Sequence, residues 1–265
     1  MEHSFDLMCT LRRKEQGRMA DVWIYSPILG AVGSLIDIPA SEAKHAIGSR
    51  RLGTGDIVTF MDGAGATAVA EIIDGRSRHG ERCARVISSA LTPRSTRPLT
   101  IAFAVPKGDR LATLLDMGTQ AGVDRFLPID CERSVVDEEK LARTERWNRI
   151  LLEACKQSKR TWAPELAQGG ALDAVALREQ ARGAYSIMAH TDAEAKPMGT
   201  ALRAAREKTS DAGITVWIGP EGGFSPYEVD ALRALGTDIA SLGAHILRIE
   251  TAVIATASIY ADARG

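Results

Sequence analysis

No apolar run in the chain reaches the length needed to span a bilayer, so a membrane-embedded helix is not expected. The opening residues, Met1 to Arg18, are polar and turn basic towards their end; they lack the apolar core of a secretory signal. Charge of one sign is missing too. Thirty-three Lys and Arg stand against 34 Asp and Glu, a formal net charge of −1. A field of that size cannot drive bulk nucleic-acid binding, so any such role must use local patches. Cysteines are few and scattered: Cys9, Cys83, Cys131 and Cys155 form no Cys-x-x-Cys pair. His3, His45, His79, His190 and His245 show no metal-ligand spacing. A disulfide framework and a metal site are therefore not expected. Both phosphate fingerprints are absent, Gly-x-Gly-x-x-Gly and Gly-x-x-x-x-Gly-Lys-Ser/Thr, which disfavours a dinucleotide or NTP site. There is no internal repeat and no low-complexity block.

What remains is a globular, cytoplasmic-type chain. Its 265 residues, 45% hydrophobic and 25% charged, suit one large domain or two smaller ones. Residues 1–18 read as an N-terminal extension, because a start at Met19 is followed at once by the strand-like Val22-Trp-Ile-Tyr25. Residues 19–92 form a first domain, of which 22–91 read as mostly β. Short apolar runs at Val22–Ile24, Ser34–Ile38, Asp56–Phe60, Ala68–Ile73 and Cys83–Ile87 are separated by Gly53-Thr-Gly55, Asp62-Gly-Ala-Gly65 and Asp74-Gly75. One short helix is expected at Ser41–Ser49, with Ser41 as N-cap. Small size and many strands suggest a compact barrel. The basic, proline-containing joint Leu91-Thr-Pro-Arg-Ser-Thr-Arg-Pro98 marks a domain boundary, with residues 93–265 forming the second domain.

Beyond the joint the rhythm becomes strand, helix, strand, helix. Strands are expected at Leu99–Val105, Val123–Ile129, Ala184–Ala189, Ile214–Ile218 and Ile239–Leu242. Helices are expected at Asp109–Gln120, Glu138–Gln157, Met198–Lys208, Pro226–Leu235 and Thr251–Ala263. Such alternation means α/β architecture, a mostly parallel sheet with helices on both faces.

Two late segments carry the chemistry. Val216-Trp-Ile-Gly-Pro-Glu-Gly-Gly-Phe-Ser225 runs from a buried strand through a glycine loop into a helix. Ser225 and Pro226 make a good helix start, and Glu228 completes a capping box. In open α/β sheets ligands sit beyond the carboxyl ends of strands, where Gly219, Gly222 and Gly223 let backbone approach closely. A tight β–α turn without a ligand is the plainer alternative. The second segment, Ser241-Leu-Gly-Ala-His-Ile-Leu-Arg-Ile-Glu-Thr-Ala252, repeats the strand–loop–helix pattern. Ile246, Leu247 and Ile249 place apolar side chains in a loop and suggest a wall for a flat apolar group such as adenine. Arg248 and Glu250 flank that wall; alone they could be no more than a surface ion pair.

Together these residues resemble the RsmE family, SPOUT-superfamily methyltransferases that modify N3 of a uridine in small-subunit ribosomal RNA. The resemblance takes in Ile218-Gly-Pro-Glu-Gly-Gly-Phe-Ser225 and the Leu242-to-Ala252 segment. It extends to His45-Ala-Ile-Gly-Ser-Arg-Arg51, Gly55-Asp56, Asp62-Gly63, Ala70-Glu-Ile72, Lys107-Gly-Asp109, Gly122-Val123, Glu132-Arg-Ser-Val-Val136, Trp147, Ala154-Cys-Lys-Gln-Ser-Lys-Arg160 and Pro164-Glu165. It covers roughly residue 20 to the end. It implies an N-terminal PUA-like barrel that helps hold RNA and a C-terminal SPOUT domain with a deep trefoil knot. It also implies a homodimer with its active site near the subunit interface. The S-adenosylmethionine pocket would be formed by His190, Thr191, Ile218, Gly219, Pro220, Glu221, Gly222, Gly223, Leu242, Gly243, Ile246, Leu247, Arg248 and Ile249. The sequence departs from the family at Ala20-Asp-Val-Trp23, at Met117 and Gln120 where Lys and Glu are common, at Ala244-His245 and at Ile249.

Under that resemblance the target is 16S ribosomal RNA, met unpaired or flipped out. Arg248 is a candidate for stabilising negative charge on a uracil oxygen. Glu221 or Glu250 could take the N3 proton or orient Arg248; Glu250 could equally serve as a helix N-terminal carboxylate. RNA contacts would come from Arg50, Arg51, Arg94, Arg97, Lys107, Arg110, Lys159 and Arg160, together with Lys156. Three other readings stay open: a SPOUT enzyme acting on a ribose 2′-hydroxyl or a tRNA guanine, a non-catalytic RNA-binding protein, and a nucleotide-dependent dehydrogenase.

Overall fold

A computed structural model of the chain describes residues 18–43, 51–76, 82–134, 144–192, 195–209 and 211–264. Residues 1–17 of the expected extension, most of the Ser41–Ser49 helix, His45, Arg50, Val135, Val136 and the start of the Glu138–Gln157 helix lie outside the described residues. The chain groups into two units. One comprises Met1–Arg94 with Cys155–Trp162, the other Ser95–Ala154 with Ala163–Gly265.

The first unit contains β1 (Met19–Tyr25), β2 (Leu35–Asp37), the short α1 (Ala40–Glu42), β3 (Ile57–Met61), β4 (Ala66–Arg76) and β5 (Arg82–Leu91). The strands form one sheet in the order β1-β3-β4-β5-β2. Only β1 and β3 run parallel; the other neighbours are antiparallel. Alternation sets the buried face: Val58 and Phe60 on β3 and Ala68, Ala70 and Ile72 on β4 point into one core with Ile24, Ile36, Ile38 and Val86. Among the described residues the sheet is an open path with β1 and β2 at its ends; the closed barrel implied by the family resemblance is not seen there. Cys155–Trp162 is tied into this unit by specific contacts. Trp162 Nε1 donates to Thr92 O at 2.9 Å, Gly65 N donates to Thr161 O at 3.1 Å, and Lys156 pairs with Glu42 at 2.6 Å.

The second unit is an eight-stranded sheet flanked by helices. In chain order it contains β6 (Leu99–Ala104), α2 (Arg110–Gln120), β7 (Arg125–Asp130), α3 (Thr144–Ser158, whose last turn belongs to the first unit), β8 (Glu165–Leu166) and β9 (Gly170–Ala171). There follow α4 (Leu172–Ala181), β10 (Tyr185–Ala189), β11 (Lys196–Pro197), α5 (Met198–Lys208), β12 (Ile214–Ile218), α6 (Pro226–Ala234), β13 (Asp238–Ser241) and α7 (Ile249–Arg264). The order is β11-β13-β10-β12-β6-β7-β8, with β9 also on β7, and every pairing is parallel. All of β6 and all of β12 are buried, which is why both read as continuous apolar runs and not as alternating ones. Helix α7 packs on α2, and Tyr260 OH donates to Arg97 O at 2.7 Å.

The α/β rhythm expected beyond the joint is present. Three short strands, β8, β9 and β11, and helix α4 were not expected. Helix α4 buries Leu172, Val175, Ala176 and Glu179, a helical spacing whose last member is a carboxylate. Glu179 is kept inside by Arg125 Nη1 at 2.7 Å and Thr215 Oγ1 at 2.9 Å. Helix α7 begins at Ile249, two residues before the expected Thr251, so Glu250 sits in its first turn. Among the described residues no helix is long and apolar enough to cross a membrane.

Candidate functional site

Strands β13, β10 and β12 are neighbours and parallel, so the loops leaving their carboxyl ends emerge along one edge of the sheet. Those loops line a cavity of about 220 Å³. His190 and Thr191 follow β10, Ile218 to Gly223 follow β12, and Leu242, Gly243, Ile246 and Leu247 follow β13; all twelve line it. Ala189, Phe224, His245 and Ala252, which no motif singles out for the pocket, line it as well. Arg248 and Ile249 do not. Ile249 is buried in the main core as the first residue of α7, and Arg248 is exposed.

The glycine loop is shaped by its own backbone. Gly223 N donates to Pro220 O at 2.8 Å, closing a turn in which Gly223 has φ +69°. A side chain there would sit in the left-handed region that only glycine enters at low cost. At Gly219 the limit is space: a Cβ would stand 3.1 Å from the Phe224 ring. The helix behind the loop starts as expected. Ser225 Oγ accepts from Glu228 N at 3.3 Å, and Glu228 Oε2 accepts from Ser225 N at 2.7 Å, with Pro226 at the first helical position. The other oxygen of Glu228 accepts from Glu132 N at 2.8 Å, fastening the segment after β7 to the head of α6.

Two further arginines hold the loop. Arg133 Nη1 donates to Gly222 O at 2.8 Å. Arg110, the first residue of α2, donates from Nη1 to Glu221 Oε1 at 2.7 Å and from Nε to Lys107 O at 3.2 Å. The same Nη1 lies 4.0 Å from Glu250 Oε2, a buried oxygen with no hydrogen-bond partner among the described residues. The glutamates proposed to serve Arg248 thus both face Arg110, while the Arg248 guanidinium makes no bond among the described residues. The Glu221 carboxyl is held below its ordinary value, first by its own backbone N–H and, against the opposing effect of burial, by Arg110 and Lys107. It is an ionised group at the cavity mouth and a weak base.

The remaining wall is polar in a fixed sense. His190 N donates to Ala240 O at 2.9 Å, joining the β10 and β13 loops. His190 Nδ1 accepts from Asp192 N at 3.1 Å, so the neutral ring carries its proton on Nε2. On the far side Ile246 is 80% exposed, an apolar side chain on the cavity wall with little protein over it. Among the described residues no group of His, Cys, Asp and Glu is placed to hold a metal ion.

The basic residues proposed for RNA distribute between the units. In the first, Arg51 is exposed with φ +53°, Arg94 stacks 5.4 Å from the Trp162 ring centre, Lys159 pairs with Asp21 at 2.7 Å, and Arg160 is half-buried. In the second, Arg97 and Lys107 are exposed and Arg110 pairs with Glu221 of the cavity wall without lining the cavity itself. Arg110 and Arg133 reach Glu221 and Gly222 across more than eighty residues of sequence, a relation no local spacing reveals.

Residues 93–261 match the family model described as an RNA methyltransferase domain. Over 243 residues the chain is 29% identical to ribosomal RNA small subunit methyltransferase E of Mycobacterium bovis, covering 88% of each chain. It is 30% identical to the protein of that name in Synechocystis sp., over 80% of this chain and 68% of the relative. Its fold is similar to a crystal structure of ribosomal RNA small subunit methyltransferase E from Neisseria gonorrhoeae bound to S-adenosyl methionine. The TM-score is 0.75 at 25% identity, over 89% of this chain and 95% of that one. The chain belongs to the RNA methyltransferase domain family and, within it, to the RsmE family.

Proposed function

We propose that this protein transfers a methyl group from S-adenosylmethionine to N3 of a uridine in the 16S ribosomal RNA of the small subunit, acting in the cytoplasm. The observation that carries the reading is the cavity: three loops from adjacent parallel strands meet at one sheet edge, with glycine backbone on one side and Leu242, Ile246 and Leu247 on another. That combination fits a donor with a flat apolar adenine and polar ends. The close approach allowed at Gly219 and Gly223 suits such a ligand, and His190 offers an Nε2–H donor. When bound, the sulfonium supplies an activated methyl group, and the protein's contribution is alignment and charge.

The reading includes the architecture of the family, a PUA-like first domain at residues 19–92, a knotted SPOUT domain at 93–265, and a homodimer. Exposed Ile246 on the cavity wall supports the need for a cover, from donor or second copy. Arg51, Arg94, Arg97, Lys107 and Lys159 are basic groups through which RNA phosphates would be held. Label transfer tests the reading: with methyl-labelled S-adenosylmethionine, small ribosomal subunits should gain label in their RNA. Subunits that stay unlabelled would contradict it.

A further inference from the structure

We infer that Arg110 is the catalytic cation of this site, the group that carries the negative charge developing on the uracil during transfer. The inference rests on the methyltransferase reading above and departs from the assignment of that role to Arg248. A charge-stabilising donor works by being oriented before the reaction, so that no reorganisation is needed at the transition state. Arg110 meets that condition. Its Nε is bonded to Lys107 O, its Nη1 to Glu221, and Glu250 stands 4.0 Å beyond. Its Nη2 hydrogens make no bond among the described residues, and the side chain is 32% exposed. The planar guanidinium is thus held at Nε and at Nη1, which leaves Nη2 to donate. Arg248, by contrast, is exposed and its guanidinium is held by nothing among the described residues.

The local charge is balanced. Arg110 and Lys107 stand against Glu221 and Glu250, with Lys107 close enough to act on the Glu221 carboxyl. A uracil oxygen taken by Nη2 therefore meets a donor whose charge is steadied, not a site of net repulsion. Glu221 and Glu250 are positioning residues in this scheme. The N3 proton leaves to solvent, and the negative charge spreads to the exocyclic carbonyl oxygen held by Arg110. The nitrogen lone pair then forms the N–C bond as the C–S bond breaks. That electron pair stays on sulfur, and neutral S-adenosylhomocysteine leaves.

The test compares wild type with Arg110→Gln, Arg110→Lys and Glu221→Gln. Donor affinity is measured by calorimetry and single-turnover methyl transfer to small ribosomal subunits is followed across a pH series. Arg110→Gln should keep donor affinity within about threefold, which also reports that it is folded, and lose about 100-fold or more in rate at neutral pH. The defect should shrink as pH rises, because hydroxide then supplies the anion the arginine no longer stabilises. Arg110→Lys should recover part of the rate, and Glu221→Gln should show a milder loss with the same pH trend. A defect equal at every pH, or a loss that follows donor affinity, would overturn the assignment. A wild type that binds the donor but transfers nothing would overturn the underlying methyltransferase reading, and the role of Arg110 with it.

Discussion

Glu228 and Ser225 cap each other at the head of α6. The hydroxyl of Ser225 takes the N–H of Glu228, and the carboxylate of Glu228 takes the N–H of Ser225. Because the second oxygen of Glu228 also takes Glu132 N, one buried side chain joins the glycine loop, its helix and the segment after β7. Replacing it with alanine should cost about 2–3 kcal/mol, the sum of a lost cap and a buried charged hydrogen bond. Urea denaturation should show a lower midpoint with an unchanged slope. A loss below about 0.5 kcal/mol would mean that the loop is anchored elsewhere.

Gly219 and Gly223 should fail differently when changed. Gly223→Ala meets open space but keeps a positive φ, so the cost is about 1 kcal/mol of backbone strain. Gly219→Val has no such strain; its branched side chain would press on the Phe224 ring, which also lines the cavity. Donor affinity should fall about tenfold or more for Gly219→Val, an effect of about 1.4 kcal/mol, with little change in melting temperature. Equal affinities for Gly219→Val and wild type would place the donor away from this loop.

Glu221 should titrate below its ordinary value of 4.5, because its own backbone N–H, Arg110 and Lys107 all favour the ionised form. A depressed carboxyl contributes stability that is present above its unfolded-state pKa and lost as pH falls through the folded one. The ion pair with Arg110 should therefore persist through neutral and mildly acidic solution and break only in stronger acid. Carboxyl-carbon NMR should find the midpoint below 4.5, and in Arg110→Gln it should rise part of the way back. An unmoved midpoint in the variant would contradict the pairing.

The buried thiols should be unreactive in the folded protein. Burial pushes Cys131 up to about 12, helped by Glu228 and Asp130, and pushes Cys155 up to about 11 despite Arg160. Cys83 is buried as well. Alkylation with site-resolved mass spectrometry at mildly alkaline pH should label these three only as fast as the protein opens. Rapid labelling of Cys131 under native conditions would contradict the packing described around it.

Much of the second unit was legible because its strongest signals are local. Fully buried β6 and β12 read as apolar runs, and Ser225-Pro226 with Glu228 reads as a helix start. The cavity was legible in twelve of its residues because glycines and apolar loop positions cluster after strand ends. Ile249 was misplaced because an apolar residue at a loop–helix border can face ligand or core, and here it is the first helical residue and faces the core. Helix α4 was hidden because its inward stripe ends in Glu179, whose partners Arg125 and Thr215 lie far away in sequence. Arg110 was read as an RNA contact for the same reason: Glu221 is its partner only in three dimensions.

Under the proposed function the cavity delivers a methyl group to a uracil nitrogen. The most direct test is to incubate the protein with labelled S-adenosylmethionine and small ribosomal subunits, digest the RNA and locate the label by mass spectrometry. The expected result is a single labelled nucleoside, N3-methyluridine, formed in smaller amount at limiting donor when the Gly219→Val variant is used. Label on a ribose 2′-hydroxyl or on another base, or no label at all, would contradict it.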